Sequence, residues 1–302
     1  MKFIPSKIWL IILFLSGVTC GVLLSKFLFK FQDRLQTSQA SQAQELPTIP
    51  DQVQGKMSLY VLAGQSNMTG RGPLDAESSK THPQVFVFGN DYRWHLAKDP
   101  LDSIDGQVDP VSQEGKAPGV GPGMTFASAL LKHDKDAVIG LIPCARGGST
   151  IQEWQRNLSE NSLYGSCLKR LRAASLMGQL EGMLFFQGEA DALDQKQFSH
   201  LSLSPQQWSK KFEKFIESFR LDTKQENLPI VFAQIGSHDA PNLLTQWNVV
   251  KKQQENIQLP HVAMITTDDL ALEDYVHYTT KSYRTIGQRF ANAYIKLTEK
   301  NL

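Results

Sequence analysis

The chain has 302 residues, with 31 Lys and Arg against 30 Asp and Glu and a formal net charge of +1. Hydrophobic residues make up 41% of it, which is typical of a globular protein with a well-buried core. The balanced charge, without a run of Lys and Arg that could follow a phosphate backbone, argues against nucleic acid as a partner.

Residues 1–31 differ in composition from the rest of the chain. An apolar run from Ile8 to Leu24 is flanked by lysines on both sides. As a helix it would be about 25 Å long, close to the roughly 30 Å hydrocarbon core of a bilayer. The segment is either a cleaved signal peptide or an uncleaved signal anchor, and we favour the anchor. We therefore expect a protein of the cell envelope, anchored in the membrane with its folded domain outside the cytoplasm, or secreted if the segment is cleaved.

Residues 32–56 are rich in Gln and Ser, contain two prolines and show no apolar periodicity. This composition predicts a flexible linker. The folded domain is predicted to span residues 57–302.

Within that domain, short apolar runs alternate with amphipathic ones. The runs predict strands at 57–63, 137–143, 181–187, 229–236 and 261–266. The amphipathic stretches predict helices at 124–133, 163–177, 206–220, 243–258 and 280–298. This alternation indicates an α/β fold with a doubly wound, mostly parallel, five-stranded sheet flanked by helices. The less regular segment 71–121 is expected to form loops over the sheet edge.

Ligands of such sheets bind beyond the carboxyl ends of the strands, so the residues after each strand are the candidates for a site. Ser66 follows the first strand in the run Gly64-Gln-Ser-Asn-Met68. At a strand-to-helix turn, a serine hydroxyl can point towards the ligand as a nucleophile. The run lacks the second glycine of the G-x-S-x-G elbow, and a helix-capping serine is the alternative.

The second and third strands are followed by groups that could stabilise an oxyanion. Gly147 and Gly148 can bring a backbone amide close to a ligand, although in isolation a simple tight turn is the favoured explanation. Gln187 ends the third strand and can donate from its side-chain amide. Glu189 and Asp191 follow it. They are too close together to flank a glycosidic bond, and we expect them to hold the loop.

Asp274 lies three residues before His277, after the last strand. At this spacing a carboxylate can bind Nδ1 of the imidazole and leave Nε2 free as a base. His238 also follows a strand and is the alternative base. A nucleophile, oxyanion donors and a base after different strands would meet at one sheet edge, where acyl transfer requires them.

These runs together resemble the SGNH hydrolase superfamily, and within it the sialate O-acetylesterase-like group, carbohydrate esterase family 6. The resemblance covers residue 57 to the C-terminus and rests on four motifs: Gly64-Gln-Ser-Asn-Met68, Pro143-Cys-Ala-Arg-Gly-Gly148, Gln187-Gly-Glu-Ala-Asp191 and Asp274-Tyr-Val-His277.

The resemblance implies a serine esterase that removes acetyl groups from a glycan such as acetylated xylan or sialic acid, without a metal or organic cofactor. It implies Ser66 as nucleophile, His277 as base and Asp274 as its partner. The oxyanion donors would be the Ser66 amide, the Gln187 side chain and one of the two glycines, with the choice between Gly147 and Gly148 left open. Supporting positions in the motifs are Gln65, Asn67, Glu189 and Asp191.

Other functions remain as alternatives. A glycan O-acetyltransferase could use the same triad, whereas a non-catalytic glycan-binding protein or a structural envelope protein would not need it. Trp154 fits the same group and either packs in the core or stacks on sugar. Cys144 and Cys167 could pair after export, but we expect buried free thiols, and no cysteine lies in a zinc-like cluster.

Overall fold

A computed structural model describes residues 53–299, which belong to one compact unit of residues 49–302. The predicted N-terminal helix and residues 32–52 of the predicted linker lie outside the described residues. Between residues 53 and 299, no helix is both long and apolar enough to cross a bilayer.

The described residues form one sheet of seven strands in the order β3-β2-β4-β1-β5-β6-β7. All neighbouring strands run parallel except β2 and β3, which are antiparallel. The strands are Met57–Gly64 (β1), Val85–Phe88 (β2), Trp94–Leu96 (β3), Ile139–Pro143 (β4), Gly178–Phe186 (β5), Ile230–Ala233 (β6) and Val262–Ile265 (β7).

The α/β class and the mostly parallel sheet are confirmed, but the predicted number of five strands is wrong. The segment 71–121, predicted as loops, supplies β2 and β3 at one edge of the sheet. The four residues of β2 are buried and the first three pair with β4, so this short run is a core strand. The three residues of β3 are only half-buried, because an edge strand has a neighbour on one side alone. Runs this short carry almost no periodic signal.

The helices follow the predicted alternation with the strands. They are Ser66–Thr69 (α1), Gly123–His133 (α2), Leu163–Ala174 (α3), Trp208–Thr223 (α4), Trp247–Glu255 (α5) and Thr280–Glu299 (α6). The predicted helix 243–258 is shorter in the structure, because the residues before Trp247 form hydrogen-bonded turns. The predicted apolar face of α4 is confirmed, since its members are at most 1% exposed: Trp208, Phe212, Phe215, Ile216 and Phe219.

Cys144 and Cys167 form a disulfide, with their Cα atoms 5.3 Å apart. The expectation of two free thiols is therefore wrong, although both residues are buried. Cys144 directly follows β4, and Cys167 lies in α3, which packs against that strand. Their separation of 23 residues in sequence does not reveal this contact, since it depends on how the helix packs.

β1 is the central strand, and the chain changes direction along the sheet next to it. From β1 the chain builds β2, β3 and β4 on one side and then β5, β6 and β7 on the other. Ligands of open α/β sheets bind at such a switch point, beyond the carboxyl ends of the strands. The loops after β1, β4 and β5 meet there.

Candidate active site

Ser66 lies at the start of α1, two residues beyond the end of β1. The turn between them depends on Gly64, whose φ is +127°. A Cβ at this position would lie 2.1 Å from the carbonyl oxygen of Phe186, so only glycine fits. The turn brings Ser66 Oγ to 2.9 Å from Nε2 of His277, a residue 211 positions away in sequence.

His277 lies in the loop between β7 and α6. Its Nδ1 is 2.7 Å from Oδ2 of Asp274. The other carboxylate oxygen of Asp274 accepts the backbone N–H groups of Val276 and His277, at 2.9 and 2.7 Å. Partial burial alone would raise the pKa of Asp274, but these hydrogen bonds outweigh it and lower the pKa. Asp274 is therefore held as a carboxylate against the imidazole.

Asn67 connects the serine turn to the histidine loop. Its Nδ2 donates to the carbonyl oxygen of Val276 at 3.2 Å and to a carboxylate oxygen of Glu189. Its Oδ1 accepts the hydroxyl of Tyr283 at 2.6 Å. All of these groups are fixed on different elements, so Asn67 helps to hold the distance between Ser66 and the histidine loop.

Glu189 is fully buried beside this connection. Burial raises the pKa of its carboxyl to about 7, although the hydrogen bond from Asn67 acts in the opposite direction. Its second oxygen, Oε2, has no hydrogen-bond partner in the part of the chain described by the structure. A buried carboxylate with one unpaired oxygen favours its neutral, protonated form.

Asp191 holds the loop after β5. Its Oδ2 accepts the N–H of Ile151 at 2.7 Å, and its Oδ1 accepts the N–H of Ser204 at 2.9 Å. Burial raises its pKa to about 6, opposed by these hydrogen bonds. The residue is completely buried and its oxygens are used within the protein.

Gly147 and Gly148 follow β4 and differ in what their amides contact. The N–H of Gly147 donates to Oε1 of Glu114 at 2.7 Å. Gly148 has φ +72°, and its N–H makes no hydrogen bond within residues 53–299. The amide of Gly148 is thus free for a ligand, and that of Gly147 is not.

Glu114 was not found by the sequence analysis. Its carboxylate has no exposed side-chain surface and accepts the hydroxyl of Thr69 at 2.8 Å, the N–H of Gly147 and the guanidinium of Arg71. It lies in a segment without secondary-structure periodicity, 33 to 45 residues from these partners. No sequence signal marks it.

Gln187 is completely buried and does not line the cavity around Ser66. Its Nε2 donates to Oδ2 of Asp191 at 2.7 Å and to the carbonyl oxygen of Ser149 at 3.0 Å. Its Oε1 accepts the indole N–H of Trp208 at 2.8 Å. The side-chain amide predicted to face the substrate is engaged inside the protein.

Gln65 lines the cavity directly beside Ser66. Its Oε1 lies 3.3 and 3.2 Å from the backbone N–H groups of Gly188 and Ala190. Because a backbone N–H can only donate, these contacts fix which end of the amide is oxygen. The Nε2 end has no acceptor among residues 53–299 and remains free to donate to a ligand in the cavity.

The cavity that joins these groups has a volume of about 440 Å³. Its polar lining includes Ser66, His277 and Gly148, together with Arg71 and Lys116. Its apolar lining consists of Ala190, Leu193, Leu201, Leu244, Tyr275 and Val276. The volume suits a small organic ligand. Nowhere in residues 53–299 are three or more His, Cys, Asp or Glu side chains grouped to hold a metal ion.

Two other sequence candidates lie away from this cavity. Trp154 is completely buried, and its indole N–H donates to Oγ of Ser149 at 3.1 Å, so it packs in the core and cannot stack on a sugar. The ring of His238 lies 4.6 Å from that of Trp247, and its Nδ1 accepts the N–H of Ala240 at 3.2 Å. The imidazole paired with Ser66 belongs to His277.

Residues 56–296 match the protein family described as "Carbohydrate esterase, sialic acid-specific acetylesterase". A probable carbohydrate esterase of Arabidopsis thaliana is 31% identical over 257 residues, which cover 78% of this chain and 90% of the relative.

Solved structures resemble the described fold. The X-ray structure of a protein from Arabidopsis thaliana has a TM-score of 0.67 at 29% identity and covers 80% of this chain and 98% of its own. NanS has a TM-score of 0.61 at 18% identity, over 82% of this chain and 99% of its own. A carbohydrate acetylesterase from Xanthomonas citri has a TM-score of 0.61 at 19% identity, and the match covers 80% of this chain and 57% of its own. At these identities the last two show a shared fold alone.

Proposed function

This chain belongs to the carbohydrate esterase family of sialic acid-specific acetylesterases and is a carboxylic ester hydrolase, and on that basis we propose that it removes O-acetyl groups from a carbohydrate through Ser66, His277 and Asp274. The observation that carries the proposal is the 2.9 Å contact between Ser66 Oγ and His277 Nε2 at the cavity. The carboxylate of Asp274 contacts the other ring nitrogen of His277, Nδ1.

In the first half of the reaction, His277 Nε2 takes the proton of Ser66 as Oγ attacks the carbonyl carbon of the acetyl ester. The carboxylate of Asp274 keeps the proton of the neutral ring on Nδ1 and stabilises the imidazolium that forms. The tetrahedral intermediate collapses when the imidazolium gives its proton to the sugar oxygen, which leaves as the free hydroxyl. An acetyl group remains on Ser66.

In the second half, His277 takes a proton from a water molecule, which attacks the acetyl carbonyl. Collapse of this second intermediate returns the proton to Ser66 Oγ and releases acetate. No redox change or cofactor step is involved, and the enzyme ends in its starting state.

Both intermediates carry a negative oxygen that needs hydrogen-bond donors. We propose the N–H of Ser66, at the start of a helix where such groups have no intrahelical partner, and the N–H of Gly148. Gly147 is not one of the proposed donors, because its amide binds Glu114. The third donor is Nε2 of Gln65 in place of Gln187, whose own amide is engaged in the core.

We also propose that residues 1–31 anchor the enzyme in the cell envelope, with the esterase domain outside the cytoplasm. The support is the apolar run flanked by lysines, and the disulfide fits an oxidising compartment.

Acetate release by the full-length protein tests the function. Acetylated xylan, an O-acetylated sialic acid and ethyl acetate are incubated with the wild type and with Ser66→Ala. We expect acetate from at least one acetylated carbohydrate and none above background from Ser66→Ala. Adding an unacetylated second glycan should not divert acetyl groups to it, because water is the proposed acceptor. Acetyl transfer to that glycan in place of acetate release would show a transferase.

A further inference from the structure

One aromatic ring is exposed in the mouth of the active-site cavity. Of the Phe, Tyr and Trp side chains in residues 53–299, only Tyr275 is exposed, at 43%, and it lines the cavity. Its ring centroid lies 6.3 Å from that of His277, with an angle of 63° between the planes. An exposed aromatic ring that lines a cavity is a feature of ligand contact.

The backbone that carries the ring is tied down on both sides. The carbonyl oxygen of Tyr275 accepts the N–H of Asp239 at 2.9 Å. The next residue, Val276, donates its N–H to Asp274, and its carbonyl oxygen accepts from Asn67. The side chain of Tyr275 is therefore exposed while its backbone is fixed relative to the imidazole of His277.

The ring of Tyr275 is accessible to a ligand over part of its surface. Apart from the edge-on approach of His277, Tyr275 has no aromatic neighbour in the described residues, and its hydroxyl makes no hydrogen bond there. An aromatic ring offers a flat apolar face with negative partial charge, which attracts the polarised C–H groups on the apolar side of a sugar ring.

The proposed chemistry places the sugar close to this face. The leaving oxygen must lie within about 3 Å of Nε2 of His277 when it takes the proton. When the acetyl group is on a ring hydroxyl, the sugar carbon bonded to that oxygen, and the ring of which it is part, must therefore start next to the imidazole. Tyr275 is the exposed ring beside it, and the cavity of about 440 Å³ leaves room for more than the acetyl group.

We propose that Tyr275 is the platform on which the sugar ring of the acetylated substrate stacks, an inference that rests on the proposed function. Tyr275 takes no part in bond making. It selects alcohols with a flat apolar face over simple alcohols of similar reactivity, and so determines which esters the triad acts on.

The test compares kcat/KM for two esters, a mono-O-acetylated methyl xyloside and ethyl acetate, which has no ring. The full-length wild type, Tyr275→Ala and Tyr275→Phe are measured beside Leu221→Ala, which removes an exposed apolar side chain from α4. We expect Tyr275→Ala to lower the ratio of kcat/KM for the xyloside to kcat/KM for ethyl acetate about five- to tenfold, mainly by raising KM for the xyloside. Tyr275→Phe, which keeps the ring, should restore the wild-type ratio, and Leu221→Ala should not change it.

Two results would overturn the stacking role. In one, Tyr275→Ala keeps the wild-type kcat/KM for both esters. In the other, both esters lose kcat/KM by the same factor and the ratio is unchanged, which would show that the ring only supports His277. Failure of the proposed function looks different, because the wild type itself would then release no acetate from the xyloside or from any other acetylated sugar.

Discussion

Whether Gln65 or Gln187 can act as an oxyanion donor depends on the direction in which its side-chain amide points. The motifs predict Gln187, which ends a strand at the correct edge of the sheet. In the structure its amide is engaged with Asp191, whereas Gln65 lines the cavity next to Ser66 and its Nε2 has no acceptor among residues 53–299. Sequence predicts which residues follow the strands at this edge of the sheet, because strand ends are readable from apolar runs. It cannot predict which way an amide points, because that is set by N–H groups such as those of Gly188 and Ala190.

Gln65→Glu tests this assignment. The carboxylate can accept the same two backbone N–H groups, so the fold should be retained, but an acceptor replaces the donor that faces the oxyanion. We expect kcat to fall by at least about 10²–10³-fold with a smaller change in KM. Gln288→Glu, which adds the same charge in α6 at a residue that does not line the cavity, is the matched control and should keep wild-type kcat. Full activity of Gln65→Glu, together with loss of kcat in a folded Gln187→Ala, would return the role to Gln187.

The raised pKa of Glu189 predicts that the stability of the domain depends on pH. Its pKa is raised from 4.5 to about 7 in the folded state, so between these pH values the folded protein binds more protons than the unfolded chain. The free energy of unfolding therefore falls as pH rises through this window. Glu189→Gln, which is neutral throughout, should gain up to about 3 kcal/mol relative to wild type between pH 4.5 and pH 8.

Urea denaturation at several pH values measures this difference. The titration of Asp191 is present in both proteins and cancels in the comparison. If the two proteins lose stability in parallel over this range, Glu189 is ionised in the fold and the account of its burial is wrong.

Among the helices and strands, the sequence predicts those that depend on a local pattern of apolar residues. Five strands were predicted because each lies in an apolar run of six to eight residues, and five helices because each has a buried face. β2 and β3 were missed because they lie in the less regular segment 71–121, and their structure depends on pairing with each other and with β4. Glu114 was missed for a similar reason, since all its partners lie far away in sequence.

The disulfide joins the end of β4 to α3, and we expect it to stabilise the domain. Closing a loop of this length removes conformational freedom from the unfolded chain, worth about 3 kcal/mol. Dithiothreitol should therefore lower the urea midpoint of the wild type. The variant Cys144→Ala/Cys167→Ala should start from that lower midpoint and show no further change on reduction. An equal effect of dithiothreitol on both proteins would show that the disulfide contributes nothing.

For the whole molecule, the proposed anchor predicts where the protein is found in a cell. The full-length protein should sediment with membranes and resist extraction by high salt, because a hydrophobic segment rather than surface charge holds it. A chain beginning near residue 45 should instead remain in the soluble fraction. Full-length protein released intact into the soluble fraction, with residues 1–31 still attached, would contradict the anchor.

We propose that one serine and one histidine, brought together from opposite ends of the domain, carry out ester hydrolysis. Acetate release is the most direct measurement, made on wild type, Ser66→Ala, His277→Ala and the double variant, with Ser128→Ala and His238→Ala as matched controls. Because the two residues act as one unit, each single variant should lose kcat by at least about 10⁴-fold, and the double variant should lose little more. The controls should keep wild-type turnover. Near-wild-type acetate release by Ser66→Ala, or its loss in His238→Ala with His277→Ala active, would contradict the account.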